Sequence, residues 1–244
     1  MAAPEFLRPN WPVPGGVHAA MTTRAGGVSR GPHASFNLAR HVGDEAGAVS
    51  ENRRRLRAAL RLPAEPAWLE QVHGIRVVSL PVSSQGPADA VVTFAPGSVC
   101  AVLVADCLPV FLAGRDGRRV GVAHAGWRGL AAGVIEATVA ALECEPGELV
   151  AWLGASIGPA AFEVGGEVRD AFLAQDAGSA IAFRPAREER WFADLPALAR
   201  RRLAGAGVGD VHGGELCTYS DAARFYSYRR DGVTGRMAAL AWLS

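Results

Sequence analysis

The stretch RRVGVAHAGWRGLAAGVIEATVAALE, residues 118–143, decides the fold class of this chain. Val120 and Val122 alternate with small residues, which is typical of a strand, and residues 130–142 carry apolar side chains at helical spacing. A glycine-rich turn, GWRG, joins the two patterns. The segment is therefore predicted to form a strand, a tight turn and a helix, which is a unit of α/β architecture.

The residues before this unit predict further strands and one long helix. A strand over 18–29 runs into a Gly-Gly turn, and residues 34–44 are predicted to be a second short extended piece. Residues 67–80 read as a strand or strand pair bent near Gly74, and residues 88–113 as two strands around a turn at 96–97. If residues 98–113 form one extended strand, Cys100 and Cys107 point to opposite faces, because their numbers differ by an odd count, and they cannot share a site.

The predicted helix over residues 46–62 has an apolar face and a basic face. Val49, Leu56 and Leu60 fall on the first face. The second face is expected to be solvated surface, and it carries Arg53, Arg54, Arg57 and Arg61.

The residues after the central unit continue the alternation. They predict a buried strand at the start of 148–165, helices over 166–175 and 194–207, and a C-terminal hairpin over 224–243 that turns at Asp231–Gly232. We find no internal repeat and no shift in composition that marks a boundary. The expected fold class is therefore α/β, a mixed sheet with flanking helices, and residues 1–244 are expected to form one domain.

Composition excludes several functional classes. Half of the residues are hydrophobic, and 25 basic residues against 24 acidic ones give a net charge of +1, so nucleic acid and anionic membranes are not expected as partners. The first 14 residues contain Glu5 and Arg8 where a secretion signal needs an unbroken apolar core. No segment has the roughly 20 apolar residues of a membrane span. We expect a soluble, cytoplasmic protein.

Three residues beside turns or strand ends combine side chains that ligate metals: His73 in EQVHG, Cys107 in ADCLP and His124 in AHAGWRG. One thiolate and two imidazoles suit zinc, and water would be free to take a fourth position, as at catalytic zinc sites. The spacings of 34 and 17 residues are not those of a zinc finger, so only the fold can bring these residues together.

Several other side chains are candidates for substrate or loop contacts. The turn that contains Arg128 leads into a helix and is predicted to bind an anion such as phosphate, and Arg24, Arg229 and Arg230 are further candidates for that role. Asn37 is either a ribose or base contact or a turn-forming residue. Asp106 is interpreted as a structural carboxylate that caps loop amides, since it faces away from Cys107 in a regular strand.

Seven blocks resemble, in order and across nearly the whole chain, the purine nucleoside phosphorylase family once called multicopper polyphenol oxidases or laccase-domain proteins, which includes peptidoglycan editing factor. The blocks are TTRAGGVS, SFNLARHVGD, WLEQVHG, ADCLPVFL, AHAGWRGLAAGV, IGPAAFEVG and CTYSDAARFYSYRRDGVTGRMAAL. The resemblance implies a single α/β sandwich domain, similar to the catalytic domain of a deamidating bacterial toxin. It also implies that His73, Cys107 and His124 bind a catalytic zinc. One block departs from the family, because Ala160 and Ala161 stand where relatives often carry a cysteine.

The function implied by the resemblance is phosphorolysis of adenosine, inosine and methylthioadenosine, together with deamination of adenosine. Purine nucleosides and phosphate are then the expected partners, zinc rather than copper the expected cofactor, and the oligomeric state stays open. Three alternatives remain. One is a copper-dependent polyphenol oxidase, for which six histidines are too few. Another is an amidase with Cys107 as nucleophile and His124 as base, editing peptidoglycan precursors. The third is a structural zinc module, for which no fourth ligand is evident.

Overall fold

The alternation of strands and helices that the periodicity predicts holds only in part, because the described residues between 67 and 125 form six strands in succession. The computed structural model describes residues 3–81 and 86–244. The strands in these ranges are β1 (Phe6–Leu7), β2 (Val17–Thr22), β3 (Ala67–Trp68), β4 (Val77–Leu80), β5 (Ala90–Thr93), β6 (Val99–Val104), β7 (Leu108–Gly114), β8 (Val120–Ala125), β9 (Leu149–Leu153), β10 (Glu163–Val164), β11 (Phe183–Pro185), β12 (Trp191–Ala193), β13 (Asp210–Gly213) and β14 (Met237–Leu243).

In the central unit the helices come directly after a strand, and helices cover the outer faces of the sheets. They are α1 (Ala46–Leu60), α2 (Trp127–Ala132), α3 (Val134–Ala141), α4 (Gly166–Leu173), α5 (Leu195–Gly205) and α6 (Tyr228–Asp231), with short 3-10 helices at Gly31–His33, Pro146–Glu148 and Ala177–Ala182. The helix predicted over 130–142 begins earlier, at Trp127, so the predicted GWRG turn is instead the N-cap and first turn of α2. The helix is also interrupted at Gly133, whose φ of 108° only glycine adopts readily. Among the described residues, no helix combines the length and the apolar character needed to cross a membrane.

Two large mixed sheets form the centre of the molecule. One has the strand order β13-β9-β7-β8-β5-β4 and the other β1-β2-β14-β6-β3, while β10, β12 and β11 form a small third sheet. The large sheets pack face to face through side chains such as Met21 and Val102 from one sheet and Phe111 from the other. The expected α/β class, a mixed sandwich with flanking helices, is therefore confirmed.

The outer face of each large sheet is covered by helices, which explains the long apolar runs in the sequence. In β7, Val110 belongs to the buried cluster that contains Ile135 of α3, and the neighbouring Phe111 belongs to the cluster between the two sheets. In β14, Leu240 belongs to the cluster that contains Leu56 of α1. Strands buried on both faces carry apolar residues at consecutive positions instead of alternating ones. The likeness to the deamidating toxin and the single domain over 1–244 stay predictions, and residues 1–2 and 82–85 lie outside the described ranges.

The prediction of one extended strand over 98–113 is wrong. The chain forms β6 and β7, which belong to different sheets, and crosses between them at residues 105–107. Asp106 has a φ of 89° at this crossing, a conformation that ends the regular strand. Cys107 consequently lies in a loop between the two sheets, and Cys100 lies fully buried in the core. The two thiols do not share a site, as predicted, although the parity argument does not apply to them.

The predicted C-terminal hairpin is also wrong. The Ser227 hydroxyl accepts a hydrogen bond from the backbone N–H of Arg230, which caps the short helix α6. Strand β14 then pairs with β2 and β6 instead of with residues 224–228. The apolar pattern of the tail belongs to a central strand whose partners are distant in the sequence.

Two further predictions near the N-terminus need correction. Residues 34–44 form no strand, because the Asn37 side chain folds this segment by bonding to the backbone N–H and C=O of Ala39. On α1, Val49, Leu56 and Leu60 are buried as predicted, but Arg53 is also buried. Its Nε and Nη2 both donate to the Leu38 carbonyl, so Arg53 does not belong to a solvated face.

Candidate metal centre

Three loops and strand ends bring His73, Cys107 and His124 together. His73 lies between β3 and β4, Cys107 lies at the crossing from β6 to β7, and His124 is near the end of β8. One potential ligand atom from each residue lies within 4.8 Å of the others. Within residues 3–81 and 86–244 this is the one group of three or more His, Cys, Asp or Glu side chains with such geometry. The structure thus assembles the predicted trio.

The geometry of this group fits a tetrahedral metal ion. Two ligands of zinc, each about 2.0–2.3 Å from the ion, lie about 3.5 Å apart in tetrahedral geometry. The Cys107 Sγ lies 3.6 Å from His73 Nε2, and the rings of His73 and His124 meet edge to face with centroids 4.7 Å apart. His124 Nδ1 is 2.7 Å from the Asp89 carboxylate, which leaves Nε2 as its ligand atom. These residues would hold the ion by one sulfur and two nitrogens.

Asp89 organises two of the three side chains. Its carboxylate is fully buried and accepts hydrogen bonds from the backbone N–H groups of Val72, His73 and Gly74 and from the imidazole of His124. These bonds fix the left-handed turn at His73, where φ is 61°, and the tautomer and ring orientation of His124. One carboxylate therefore sets the relative positions of both imidazoles.

Charge in this group favours a thiolate. Burial raises the pKa of the Cys107 thiol, but the facing imidazoles of His124 and His73 outweigh it and lower that pKa to about 6. Burial lowers the pKa of His124, but the Cys107 thiolate and the Asp89 carboxylate outweigh it and raise that pKa to about 9. Without a metal, the pair is accordingly a thiolate and an imidazolium near neutral pH. The thiolate is the form that ligates metals and attacks electrophiles.

Alkylation of the metal-free protein tests this charge state. The rate at which iodoacetamide modifies Cys107 is expected to rise as the pH increases through about 6 and to level off above it, because the thiolate is the reactive form. Cys144 provides an internal comparison, since burial raises its pKa and its reaction needs a more alkaline solution. Peptide mapping by mass spectrometry measures both rates. A Cys107 rate that follows the Cys144 profile contradicts the expectation.

Asp106 supports the loop that presents Cys107. Its carboxylate accepts hydrogen bonds from the hydroxyls of Thr218 and Ser227 and from the backbone N–H of Arg229. The interpretation of Asp106 as a structural carboxylate that caps loop amides is confirmed. Because its partners come from residues 218–229, Asp106 also joins the C-terminal loops to the β6–β7 crossing.

Gly126, at the start of α2, allows the three side chains to approach one another. A Cβ at this position would lie 2.7 Å from His73 Cδ2 and 2.9 Å from Cys107 Sγ. Gly129 has a similar role in the next turn of the helix, since its Cβ would lie 2.9 Å from the Gly74 carbonyl oxygen. The glycines of the GWRG turn are thus needed for close packing of the helix against the loop that carries His73.

The Gly126→Ala variant is expected to bind zinc about 10- to 100-fold more weakly while remaining folded, because the added methyl group displaces two ligand side chains that can rotate away. Competition with a chromophoric chelator measures the affinity, and circular dichroism checks the fold. The matched control is Gly205→Ala at the end of α5, where a Cβ meets no atom within 4 Å. Equal affinities of the two variants would show that Gly126 has no influence on the geometry.

A cavity of about 560 Å³ opens over the trio. Three arginines line it, Arg128, Arg229 and Arg236, together with His41 and Gln71. A smaller pocket of about 140 Å³ adjoins it and shares Cys107, Trp127, Tyr228 and Arg229 with it. The smaller pocket is mainly apolar, and its walls include Ile157, Phe162 and Leu195. The site therefore offers a basic compartment and an apolar one, and Cys107 lines both.

The predicted substrate residues separate into two groups. Arg128 and Arg229 line the cavity, and the guanidinium of Arg128 lies over the Trp127 ring, 4.5 Å from its centroid. Arg24 instead donates to the carbonyls of Ala34 and Ala222, and Asn37 is fully buried and bonds to Ala39 and Asp44. Arg230 donates to the carbonyls of Thr218, Tyr219 and Phe225. The structure places Arg24, Asn37 and Arg230 outside the lining of the cavity.

Sequence reasoning missed Asp89, His41, Gln71, Tyr228 and Arg236. Asp89 stands in a strand-like ADAVV run, where a single acid carries no signal of its partners. Gln71 is two residues from His73, and its side chain bonds to both backbone groups of Leu103, which ties the His73 loop to β6. His41 lies at the cavity rim, where burial and the nearby Arg236 and Arg53 lower its pKa. Only proximity to the blocks that carry the trio could have indicated Gln71.

Comparison with known proteins gives consistent results. A family model described as multi-copper polyphenol oxidoreductase laccase matches residues 18–244. A purine nucleoside phosphorylase of Pseudomonas aeruginosa is 55% identical over 239 residues, covering 98% of each chain. The purine nucleoside phosphorylase YfiH of Escherichia coli is 53% identical over 242 residues, covering 98% of this chain and 99% of its own. The crystal structure of a Neisseria meningitidis protein superposes with a TM-score of 0.95 at 46% identity, over 98% and 99% of the two chains.

Proposed function

This chain belongs to the multi-copper polyphenol oxidoreductase laccase family, and on that premise we propose that it is a zinc-dependent purine nucleoside phosphorylase. Its proposed substrates are adenosine, inosine, methylthioadenosine and phosphate, with deamination of adenosine as a second reaction. Two relatives that match over nearly the whole chain carry the name purine nucleoside phosphorylase. The observation that carries the proposal is the trio of His73, Cys107 and His124 on the wall of a cavity with both basic and apolar sides.

The metal proposed for this site is zinc. A thiolate with two imidazoles is a donor set that zinc takes at catalytic sites with three protein ligands. Zinc bound there would supply a Lewis acid that polarises an oxygen or nitrogen of the substrate and lowers the pKa of a bound water. The side of the trio that faces the cavity leaves room for such a fourth group.

The arginines of the cavity are proposed to hold phosphate. Arg128 is exposed, its guanidinium lies 4.5 Å from the centroid of the Trp127 ring, and it offers two parallel N–H donors to phosphate oxygens. Arg236 is positioned by the Thr234 and Gly235 carbonyls, and Arg229 by the Glu163 carbonyl. In phosphorolysis a phosphate oxygen bonds to the ribose C1′ while the bond from C1′ to purine N9 breaks. The electron pair leaves with the base, which takes up a proton.

The apolar pocket is proposed to hold the purine. Phe162, Trp127 and Tyr228 supply aromatic surfaces of the kind on which bases stack. In this proposal the base lies beside Cys107, which lines both compartments, and the sugar extends toward the arginines. In deamination a water oxygen bonds to purine C6 and ammonia leaves with the displaced electron pair and a proton, so phosphate is not consumed.

The experiment is to incubate the zinc-loaded protein with adenosine, with and without phosphate, and to separate the products by chromatography. Adenine and ribose 1-phosphate are expected only with phosphate, and inosine in both cases. Protein stripped by a chelator is the control, and zinc should restore its activity. If zinc-loaded protein yields none of these products, the proposed function is wrong.

A second candidate function is supported by one observation. The site groups a nucleophile, a base and an orienting carboxylate, which are Cys107, His124 and Asp89 in that order. The pKa of Cys107 is also lowered. Such a group would cleave an amide, for example in a peptidoglycan precursor. The Cys107 sulfur bonds to the carbonyl carbon as the C–N bond breaks and the amine leaves with a proton, and water then hydrolyses the thioester to a carboxylic acid and the free thiol. Chelation distinguishes the candidates, because it abolishes the zinc reactions and leaves the cysteine reaction intact.

Copper is the alternative metal that the family description names. Two histidines and one cysteine also occur at copper sites for electron transfer, so the donor set alone does not exclude it. Oxidation of phenols by oxygen needs further copper ions, and the described residues assemble one group of this kind. Metal analysis of the purified protein tests this: one zinc per chain supports the proposal, and several tightly bound copper ions overturn it.

A further inference from the structure

A second basic cavity, of about 400 Å³, lies beside α1 and shares no lining residue with the cavity over the trio. We refer to it as the arginine cavity. Its walls carry four arginines and one glutamate among their charged groups: Arg40, Arg53, Arg54, Arg57 and Glu65. The proposed function gives this cavity no role.

Arg53 is the buried cation of the arginine cavity. It is 9% exposed, and its Nε and Nη2 share the single carbonyl of Leu38. The rest of its guanidinium lies over the Trp68 ring, 4.0 Å from the ring centroid. Burial lowers the pKa of Arg53 to about 10, and the nearby Arg40 contributes to the same shift. A buried cation is costly unless an anion compensates it, and none of the described carboxylates forms an ion pair with Arg53.

The carboxylates near the arginine cavity already have ion-pair or hydrogen-bond partners. Glu51 accepts hydrogen bonds from Arg54 and Arg55. Glu65 lies 3.5 Å from Arg57 and also accepts a hydrogen bond from Trp68 Nε1. Arg40 is exposed and has no ion-pair or hydrogen-bond partner among the described residues. The charge of Glu65 partly offsets the lowered pKa of Arg53, but neither Arg40 nor Arg53 forms an ion pair with a described carboxylate.

The geometry points to a binding site for a diphosphate group in the arginine cavity. Guanidinium groups match phosphate oxygens through paired, charge-assisted hydrogen bonds. The volume of about 400 Å³ falls in the range of small-ligand pockets, about 300–1,000 Å³, and exceeds what one phosphate group fills. The ligand is either free pyrophosphate or the diphosphate of a nucleotide. Arg53 provides the buried end of the site, and Arg40 and Arg57 line it at the surface, where a bound diphosphate shares Arg57 with Glu65.

Titration of the zinc-loaded protein with pyrophosphate, ADP, orthophosphate and adenosine tests this inference, with calorimetry as the readout. Trp68 provides a second readout, because an anion on Arg53 changes the field at the ring and hence its fluorescence, and the Trp68→Phe variant identifies that signal. Pyrophosphate or ADP is expected to bind more tightly than orthophosphate. Binding of pyrophosphate alone identifies the free anion as the ligand, and tighter binding of ADP identifies a nucleotide.

Variants of the arginine cavity test whether the diphosphate binds there. Arg40→Ala and the double variant Arg40→Ala, Arg57→Ala are expected to weaken diphosphate binding about 10-fold and 100-fold, since each removed charge-assisted contact contributes about one order of magnitude. Both side chains lie at the surface, so the fold is expected to survive. Arg118→Ala, which removes an exposed arginine outside the arginine cavity, is the matched control and should bind normally.

The outcome is separable from that of the proposed function, because no turnover is measured. Diphosphate binding is expected to persist in the Cys107→Ser variant and after chelation. Three results overturn the inference: no binding of pyrophosphate or ADP, equal binding by wild type and the double variant, or loss of binding in Cys107→Ser, which would assign the anion to the cavity over the trio.

Discussion

Replacing Cys107 with serine is expected to lower the rate of phosphorolysis and deamination by at least about a thousandfold and to remove the bound metal. The serine hydroxyl stays protonated at neutral pH and is a poor zinc ligand, whereas the thiolate supplies the negative charge of the donor set. A thousandfold loss corresponds to about 4 kcal/mol of transition-state stabilisation. Metal content by mass spectrometry and product formation by chromatography measure the two effects.

The stability of this variant should change little, because Cys107 is half-buried in a loop and does not belong to the hydrophobic core. Cys144→Ser is the matched control, since it removes another half-buried thiol that is outside the group of ligands. The control is expected to retain metal and activity. Full activity of Cys107→Ser with its metal bound would refute the assignment of Cys107, and loss of activity with the metal retained would favour the nucleophile of the second candidate function.

Replacing Asp89 with asparagine is expected to weaken zinc binding about 10- to 100-fold and to destabilise the protein. Oδ1 accepts hydrogen bonds from His73 N and His124 Nδ1, and Oδ2 accepts them from Val72 N and Gly74 N. The NH₂ group of the asparagine replaces either Oδ1 or Oδ2, and at both positions it faces two N–H donors. Each buried donor left unsatisfied costs about 1–3 kcal/mol. Loss of a carboxylate that bonds to a ligand histidine weakens metal binding about 10- to 100-fold.

Urea unfolding and chelator competition measure the two effects of Asp89→Asn separately. Asp116→Asn is the matched control at an exposed turn, where the change in the free energy of unfolding should stay below about 1 kcal/mol. The contribution of Asp89 also depends on pH. Burial raises its pKa, but hydrogen bonds from His124 and Gly74 outweigh it, so the folded pKa is lowered. Its stabilisation is present above the ordinary range of an aspartate and is lost as the pH falls below it. Identical behaviour of the two variants would show that Asp89 does not position the ligands.

Local periodicity predicted the elements whose pattern is set by their own residues. Strand β8 and the helices that follow it have alternating and helical patterns in one continuous run, and the structure forms both. The same reasoning failed for residues 98–113, because a strand buried on both faces and a strand that changes sheets produce the same apolar run. It failed for the C-terminal hairpin because β14 takes its partners from β2 and β6, which are more than a hundred residues away.

The candidate site also divides into residues that the sequence indicated and residues that only the structure revealed. Residue types and the family blocks indicated His73, Cys107 and His124, and the structure brings their ligand atoms within 4.8 Å. Asp89 gave no signal, because three of its partners are backbone amides that any residue supplies and the fourth, His124, is 35 residues away. Arg24 looked like an anion ligand from its glycine-rich surroundings, but its guanidinium donates to the carbonyls of Ala34 and of the distant Ala222.

The amino-acid sequence by itself determined the α/β class, the apolar strands and the ligand residue types, because these depend on side-chain chemistry and on spacing along a few neighbouring residues. Only the tertiary structure decided that the chain crosses between two sheets at Asp106, that the turn at His73 is fixed by a buried carboxylate, and that arginines from separate loops face one cavity. Those features depend on which strands pair and which layers pack together, and they come from contacts between residues far apart in the chain.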